Sequence, residues 1–471
     1  MRLNSVLARI LVLSLVVTAA LPAAAQERTG PSLQGSSPFL RGVPTGTPEP
    51  QALPLTISSA IERALSHNLG VLESEQAIER AAGARRIALS GLLPNLTARG
   101  SEVRQRINLE AFGLPLPGVP PLVGPFNVFD ARLFLSQSVF DLRALNDARS
   151  ESHNLQAARF THKGNRDLVV LVAVNLYLQA LAASARADTA RAQLETARAL
   201  YQQAQDLKES GMVAGIDVIR AEVRLSTERQ RATGAENEFQ KAKLQLARVV
   251  GLPIGQSFAL VDEIPYAPLP EITMDDALER AYKARPDYQA ALERLQAAEA
   301  DRAGARGELL PSVHVNAEYG AIGLTAGGAL PTYALSGAVN IPIFQGGRTQ
   351  GRIARAEADV RNRRAEAEDV RGEIYYDVRT AFLDLEATRE ELQVATRARE
   401  LAALQLTQAR DRFTAGVASN IEVVQAQEAV ALAGEQYISS LYGFNVSKAA
   451  LARAIGVAEE AVRDYLGGVS R

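Results

Sequence analysis

Leu55-Thr56-Ile57, then Ala60-Ile61-Glu62-Arg63-Ala64, then Leu92-Leu93-Pro94: this order of residues decides the fold, because it occurs twice. It returns as Ile272-Thr273-Met274, Ala277-Leu278-Glu279-Arg280-Ala281 and Leu309-Leu310-Pro311, each at an offset of 217 residues. A later set returns at an offset of 205. There Leu178 matches Leu383, Gly211 matches Gly416, Ile216 matches Ile421, Val218 matches Val423 and Ala221 matches Ala426. Leu246-Ala247-Arg248 likewise matches Leu451-Ala452-Arg453, and Gly251 matches Gly456. Self-similarity at a fixed spacing means two copies of one structural unit. The fall from 217 to 205 leaves repeat one 12 residues longer, placed in or near the loop-like Leu114-Pro115-Leu116-Pro117-Gly118-Val119-Pro120-Pro121.

Both repeats share one internal order. A helix of about 35 residues runs to the Leu-Leu-Pro, where proline stops it. Strand-like residues follow, then a long Ala-, Arg-, Glu- and Gln-rich helical stretch broken once, near Gly211 or Gly416. From Ala144 to Glu209 only Gly164 weakens the helical pattern, which predicts a helix about 100 Å long. Helices of that length with many alanines pack as antiparallel coiled coils.

The strands alternate. Val313, Val315, Ala317 and Tyr319 share one face, and Ser312, His314, Asn316 and Glu318 the other. Tyr333, Leu335, Val339 and Ile341 stand opposite Ala334, Ser336, Ala338 and Asn340. In repeat one Phe129, Ala131, Leu133 and Leu135 alternate with Asp130, Arg132 and Ser136, and Phe134 interrupts the pattern. Asn95 to Ile107 is the weakest strand, since Glu102, Arg104 and Arg106 share a face. Such alternation suits a lipid-facing barrel strand and equally a half-exposed soluble sheet. Two hairpins give four strands, too few to close a barrel in lipid, so partners must complete it if the strands span a membrane.

Arg2 and Arg9, the apolar run from Ile10 to Ala20 and Ala23-Ala24-Ala25 form an export signal with a cleavage site. The expected organisation is a signal peptide (1–25), a disordered Pro/Gly/Ser-rich leader (26–54), a first repeat (55–251), a linker (252–271), a second repeat (272–456) and a tail (457–471). The first repeat holds a β-hairpin at about 95–140 and a helical hairpin turning near 211–216; the second holds them at about 312–343 and near 416–421. Past the signal no run of about 18 consecutive apolar residues occurs, so no membrane-spanning helix is expected.

Composition narrows the function. Lys+Arg 51 against Asp+Glu 53 gives a net charge of −2, which offers nucleic acid no attraction. The chain has no cysteine, so lipidation at the cleavage site, disulfides and thiolate chemistry are excluded. His67, His153, His162 and His314 are scattered, and no phosphate loop, nucleophile elbow or metal-ligand spacing occurs. No enzyme activity, cofactor or metal is expected.

In these features the chain resembles the outer membrane efflux protein family, the TolC-like channels. The residues that carry the resemblance are the doubled Leu-Leu-Pro turn, Ile341-Pro342-Ile343-Phe344-Gln345-Gly346-Gly347-Arg348 entering a helix, and Arg412-Phe413-Thr414-Ala415-Gly416 before Ile421-Glu422-Val423. It implies a mainly α fold with a small β part: two tandem repeats of long antiparallel helices with four transmembrane strands per chain. A homotrimer would complete a 12-stranded β-barrel above an α-helical barrel. It also implies an outer-membrane location with a periplasmic extension, a periplasmic adaptor and an inner-membrane transporter as partners, and service as the exit duct of a tripartite efflux pump or type I secretion system. The competing reading is a periplasmic coiled-coil scaffold without a pore.

The resemblance also assigns roles. The turns at Gly211 and Gly416 would be hairpin tips that dock on the adaptor, with Ile216, Val218, Arg412, Phe413, Ile421 and Val423 beside them. Leu207 and Lys208 replace Arg412 and Phe413 in repeat one. Asp217 and Glu422, at equivalent positions, would form acidic rings at a periplasmic gate, although Asp217 equally suits a helix N-cap. The family's latch arginine and second acidic position correspond here to Ala418 and Gln425.

Overall fold

The computed structural model describes residues 37–113, 118–262, 264, 272–415, 417 and 420–460. The signal peptide, the leader to residue 36, part of the Leu114–Pro121 loop, most of 263–271, Gly416, Ala418 and the tail from residue 461 lie outside the described residues.

Each repeat begins with two helices where one was expected. In repeat one these are α1 (Ile57–His67) and α2 (Leu69–Ser90); in repeat two, α5 (Met274–Ala284) and α6 (Pro286–Gly307). The breaks fall at Asn68 and Arg285, themselves 217 residues apart. Asn68 leaves the helical region and caps α2 through Gly70 N–H at 2.9 Å. Arg285 is held extended by the following Pro286, which starts α6. Thr56 and Thr273 cap α1 and α5 by accepting from Ser59 N–H and Asp276 N–H.

The strands β2 (Asn95–Asn108) and β3 (Leu122–Phe140) form the first hairpin, β5 (Ser312–Gly323) and β6 (Leu330–Asn340) the second. Most of repeat one's extra length therefore goes into longer strands and not only the loop. β6 stops at Asn340, one residue short of Ile341. The long helices follow: α3 (Leu142–Glu209) and α4 (Gly215–Val249), then α7 (Arg348–Thr414) and α8 (Asn420–Ile455). Asp141 starts α3 by accepting from the N–H groups of Arg143 and Ala144. At 68 residues, α3 is about 100 Å long.

The repeat is visible in the packing. Ala60, Ala64, Val169, Ala173, Leu246 and Val250 form the centre of one buried cluster. Ala277, Ala281, Ile374, Val378, Leu451 and Ile455 form a second, at the same offsets of 217 and 205. Each core thus joins the first helix of a repeat to the middle of its long helix and the end of its last. One 18-residue window of α3 is apolar enough for a membrane span, contrary to the expectation of none. More than half of that window is buried; Val169, Val170, Val174 and Leu178 are fully enclosed in the core, so the apolarity reflects packing against protein.

The leader from residue 37 onward is not disordered, against expectation. Gly42 N–H donates to Arg248 O at 2.7 Å, Val43 N–H to His67 O at 2.8 Å, and Asn68 Nδ2 to Phe39 O at 2.7 Å. Strand β1 (Leu53–Leu55) then pairs in parallel with β4 (Phe258–Leu260), inside the expected linker. Phe39 and Leu53 pack on the main core, which supplies the burial that a Pro/Gly-rich composition alone does not forecast. Tyr177, fully buried, fastens this end by donating to Leu55 O and Asp262 Oδ2, both at 2.8 Å.

Asp167 on α3 carries a pH signature. It is 4% exposed, and its Oδ1 accepts from Glu459 N–H at 3.0 Å. Its Oδ2 has no hydrogen-bond partner among the described residues. Burial pushes its carboxyl up to about 6. The folded state therefore favours the protonated form, so stability falls as pH climbs from the usual carboxylate range to about 6 and stays lower above it. Asp167→Asn is expected to raise stability at pH 7.5 by on the order of 1–2 kcal/mol and to change little at pH 4. Denaturation midpoints at the two pH values check this; equal gains at both would refute it.

Candidate functional site

The sheet has the order β2-β3-β5-β6, antiparallel throughout, so the β3–β5 pair joins the two repeats and β2 and β6 are left as edges. Its register aligns whole rows of apolar side chains. Leu96, Leu135, Ala317 and Leu335 form one row, and Ala98, Leu133, Tyr319 and Tyr333 the next. Among the described residues nothing covers this face: Leu96 is 64% exposed, Leu335 74% and Tyr333 80%. The other face carries Ser136, Asn316 and Ser336 in one row, with Arg99, Arg132 and Glu318 nearby. An uncovered apolar face with a polar reverse is the division a transmembrane barrel strand needs.

At the opposite end of the long helices are the hairpin tips. Gly211 adopts φ +74° after α3, and Met212 N–H closes the turn on Leu207 O at 2.8 Å. The second tip closes identically, with Val417 N–H donating to Arg412 O at 3.0 Å, again 205 residues on. Gly416 itself, and the Phe413 side chain, lie outside what the structure describes. Ile216 and Ile421 are more than half exposed, as are Met212 and Val417. Val218 and Val423 are buried, and Val423 packs with Ala409 and Ala426, so these two support the tips from beneath and do not present a contact surface.

The two acidic candidates differ from expectation in detail. Ala214 is the N-cap of α4, which puts Asp217 three positions further in, where its carboxylate still faces the positive helix end. Arg220 Nη1 pairs with it at 3.2 Å. Glu422, in the first turn of α8, is paired across the turn with Arg412 at 3.1 Å. Arg412 thus faces the Glu422 carboxylate as well as sitting at the tip.

Four charged residues above the tips escape the sequence reading. Arg224 on α4 pairs with Glu228 at 3.0 Å and with Glu428 on α8 at 2.5 Å, so one guanidinium ties the first helical hairpin to the second. Glu228 is 1% exposed and also pairs with Arg231 at 3.1 Å. A cavity of about 300 Å³ opens beside it, bounded by α3, α4, α7 and α8. A clue was present in the chain. Val218, Ala221, Leu225, Glu228, Ala232, Ala235, Phe239, Ala242, Leu246 and Val249 keep alternating three- and four-residue spacing, with a carboxylate in an otherwise apolar seam.

The comparisons agree with this geometry. The chain is 24% identical over 341 residues to the pyoverdine export outer membrane protein OpmQ of Pseudomonas putida, covering 70% of each chain. It is 26% identical to the toluene efflux pump outer membrane protein TtgF of Pseudomonas putida, across 84% of this chain and 82% of that one. The fold matches the CmeC outer membrane channel of Campylobacter jejuni with a TM-score of 0.72 at 17% identity, covering 88% of this chain and 90% of that one. A model of outer membrane efflux proteins matches residues 60–252 and 277–457, the two repeats in turn. With both halves of the molecule matched, this chain belongs to the outer membrane efflux protein family.

Proposed function

We propose that three copies of this chain assemble into an outer-membrane channel, the exit duct of a tripartite efflux pump or a type I secretion system. The sheet carries this reading. Its apolar face is bare, and its two edges, β2 and β6, run antiparallel to one another. An unpaired strand edge has no water to satisfy it inside lipid. Identical neighbours resolve both problems, since β6 of one chain can pair with β2 of the next and three four-stranded sheets close one barrel. A pore-less scaffold leaves the apolar rows facing water. The long helices extend the duct through the periplasm, and the segment 1–25 acts as the cleaved export signal.

The chain works as a passive conduit. The exposed tips, Met212, Ile216, Val417 and Ile421 with the Gly211 and Gly416 turns, are the surface offered to a periplasmic adaptor, which links the duct to an inner-membrane transporter. Asp217 and Glu422 form acidic rings at the periplasmic entrance, with Arg412 offsetting part of the Glu422 charge.

Bilayer recording tests this reading. Wild-type protein is expected to conduct with a preference for cations. Glu422→Ala removes three carboxylates and frees three Arg412 guanidiniums, so the cation-to-anion permeability ratio is expected to fall by at least about twofold. Arg412→Ala is expected to raise it. Equal reversal potentials in all three proteins would remove these residues from the constriction.

A further inference from the structure

In repeat one a single residue, Asp141, separates strand β3 from helix α3. In repeat two, residues 341–347 lie between Asn340 of β6 and Arg348 of α7. That segment begins Ile341-Pro342-Ile343-Phe344, and it is bare: Ile343 is 95% exposed and Phe344 88%. It is nonetheless held in place. Gly346 and Gly347 turn the chain at φ +60° and +82°, and Arg348 N–H closes the turn on Gln345 O at 3.2 Å. Gln345 Oε1 accepts from Thr349 Oγ1 at 2.7 Å, and Thr349 is buried. An apolar segment fixed at its end and uncovered among the described residues needs a cover from outside the chain.

The internal repeat points to what the cover is. At the end of β3, Gln137 and Phe140 pair with Val315 and Val313 of β5. β3 is the second strand of repeat one and β5 the first strand of repeat two, so this pairing joins the two repeats. β6 is the second strand of repeat two, and its outer edge is unpaired. The strand that fits there is β2 of another copy, whose Leu96 and Ala98 correspond to Val313 and Val315 at the offset of 217. The pleat agrees. Leu96 and Leu335 share the uncovered apolar face, so that face takes even-numbered residues of β2 and odd-numbered residues of β6. Ile341 and Ile343 continue the odd-numbered series past Leu335 and Val339.

We propose that residues 341–344 are an assembly clasp: they prolong β6 along β2 of the next copy and set Ile341 and Ile343 beside its Ala98 and Leu96. The clasp rests on the reading of the channel as three copies joined edge to edge. It repeats, between copies, the arrangement that β3 and β5 make inside one. Apolar pairs across neighbouring strands stabilise a sheet and also fix its register, because a slip of one residue turns every side chain to the wrong face.

The chain has no cysteine, so introduced cysteine pairs report on the clasp without background. In outer-membrane fractions holding the full chain and treated with copper phenanthroline, Leu96→Cys with Ile343→Cys is expected to give disulfide-linked trimers on non-reducing gels, since opposed strand residues stand close enough for a disulfide. Leu96→Cys with Phe344→Cys, one residue out of phase, is expected to link at least about fivefold less. Ile341→Asn with Ile343→Asn alters side chains that are exposed in the single chain, and is expected to lower the share of three-chain particles in mild detergent at least about threefold. Three results overturn the clasp and leave the trimer standing: no link through Ile343 in particles weighed as trimers, equal linking through Ile343 and Phe344, or unchanged assembly of the Asn variant. Wild-type particles of a single chain overturn the assembly reading itself.

Discussion

Replacing Gly456 with valine is expected to cost at least about 4 kcal/mol and to leave little assembled protein in outer-membrane fractions. Gly456 ends α8 at φ +82°, a left-handed conformation that a β-branched residue strongly resists. A Cβ there would also come 2.9 Å from both N and Cα of Arg285, backbone atoms that cannot swing aside. Arg285 is itself fixed, 5% exposed and bound to Asp287 and to Asp377 at 2.5 and 2.6 Å. Gly251 is the same device in repeat one, at φ +64° with a would-be Cβ 2.6 Å from His67 Cβ and 2.8 Å from Val43 O. Gly251→Val should therefore fail in the same way. Gly211→Ala is the contrast: φ is +74°, but nothing lies within 4 Å, so only the backbone term of about 1 kcal/mol remains. Thermal stability of the three variants separates strain from crowding. A Gly456→Val protein as stable as wild type would show that the α8 end does not press on the α5–α6 break.

The second large effect concerns the tie between hairpins. Arg224 lies nine residues into α4, about 14 Å above the tip, and bridges Glu228 and Glu428. Cutting it at Arg224 would leave the buried Glu228 with Arg231 as its remaining ion-pair partner and confuse opening with unfolding. Cutting it at Glu428, which is half exposed, leaves the Arg224–Glu228 pair intact. Glu428→Gln is therefore expected to loosen α8 from α4 with little loss of stability, and to raise single-channel conductance by at least about twofold, since helix ends that close a pore widen when their cross-link is lost. Glu428→Lys is expected to do more, because it sets two cations against each other. Conductance equal to wild type in both variants would show that Arg224 braces the hairpins without restraining the pore.

Much of this architecture was readable from the chain. The paired offsets of 217 and 205 located both cores, because burial at Ala60, Val169 and Leu246 recurs at Ala277, Ile374 and Leu451. Strand alternation located both faces of the sheet, because side-chain direction there is set by the backbone pleat. The breaks at Asn68 and Arg285 were missed. Asn68 has no sequence mark stronger than its own side chain, and Pro286 falls inside the single helix expected there although proline starts a helix more readily than it continues one. The strap from Ser37 was missed because its order comes from hydrogen bonds to residues 206 positions away, Gly42 to Arg248 and Thr45 to Gly251. At the hairpin turns, the equivalence of Asp217 and Glu422 follows from repeat position, but Arg412 as the partner of Glu422 and Arg224 as the tie between hairpins depend on helix facing that linear spacing does not reveal.

One quantity bears on the whole account: the number of chains in the smallest particle that conducts ions. Mass measurement of the mature protein in mild detergent, on the same sample that is then fused with a planar lipid bilayer, reads it directly. Three chains per particle and steady ionic currents are the predicted pair. A single-chain particle, or a three-chain particle silent in the bilayer, would contradict the idea that bare β2 and β6 edges are closed by identical neighbours around a water-filled duct.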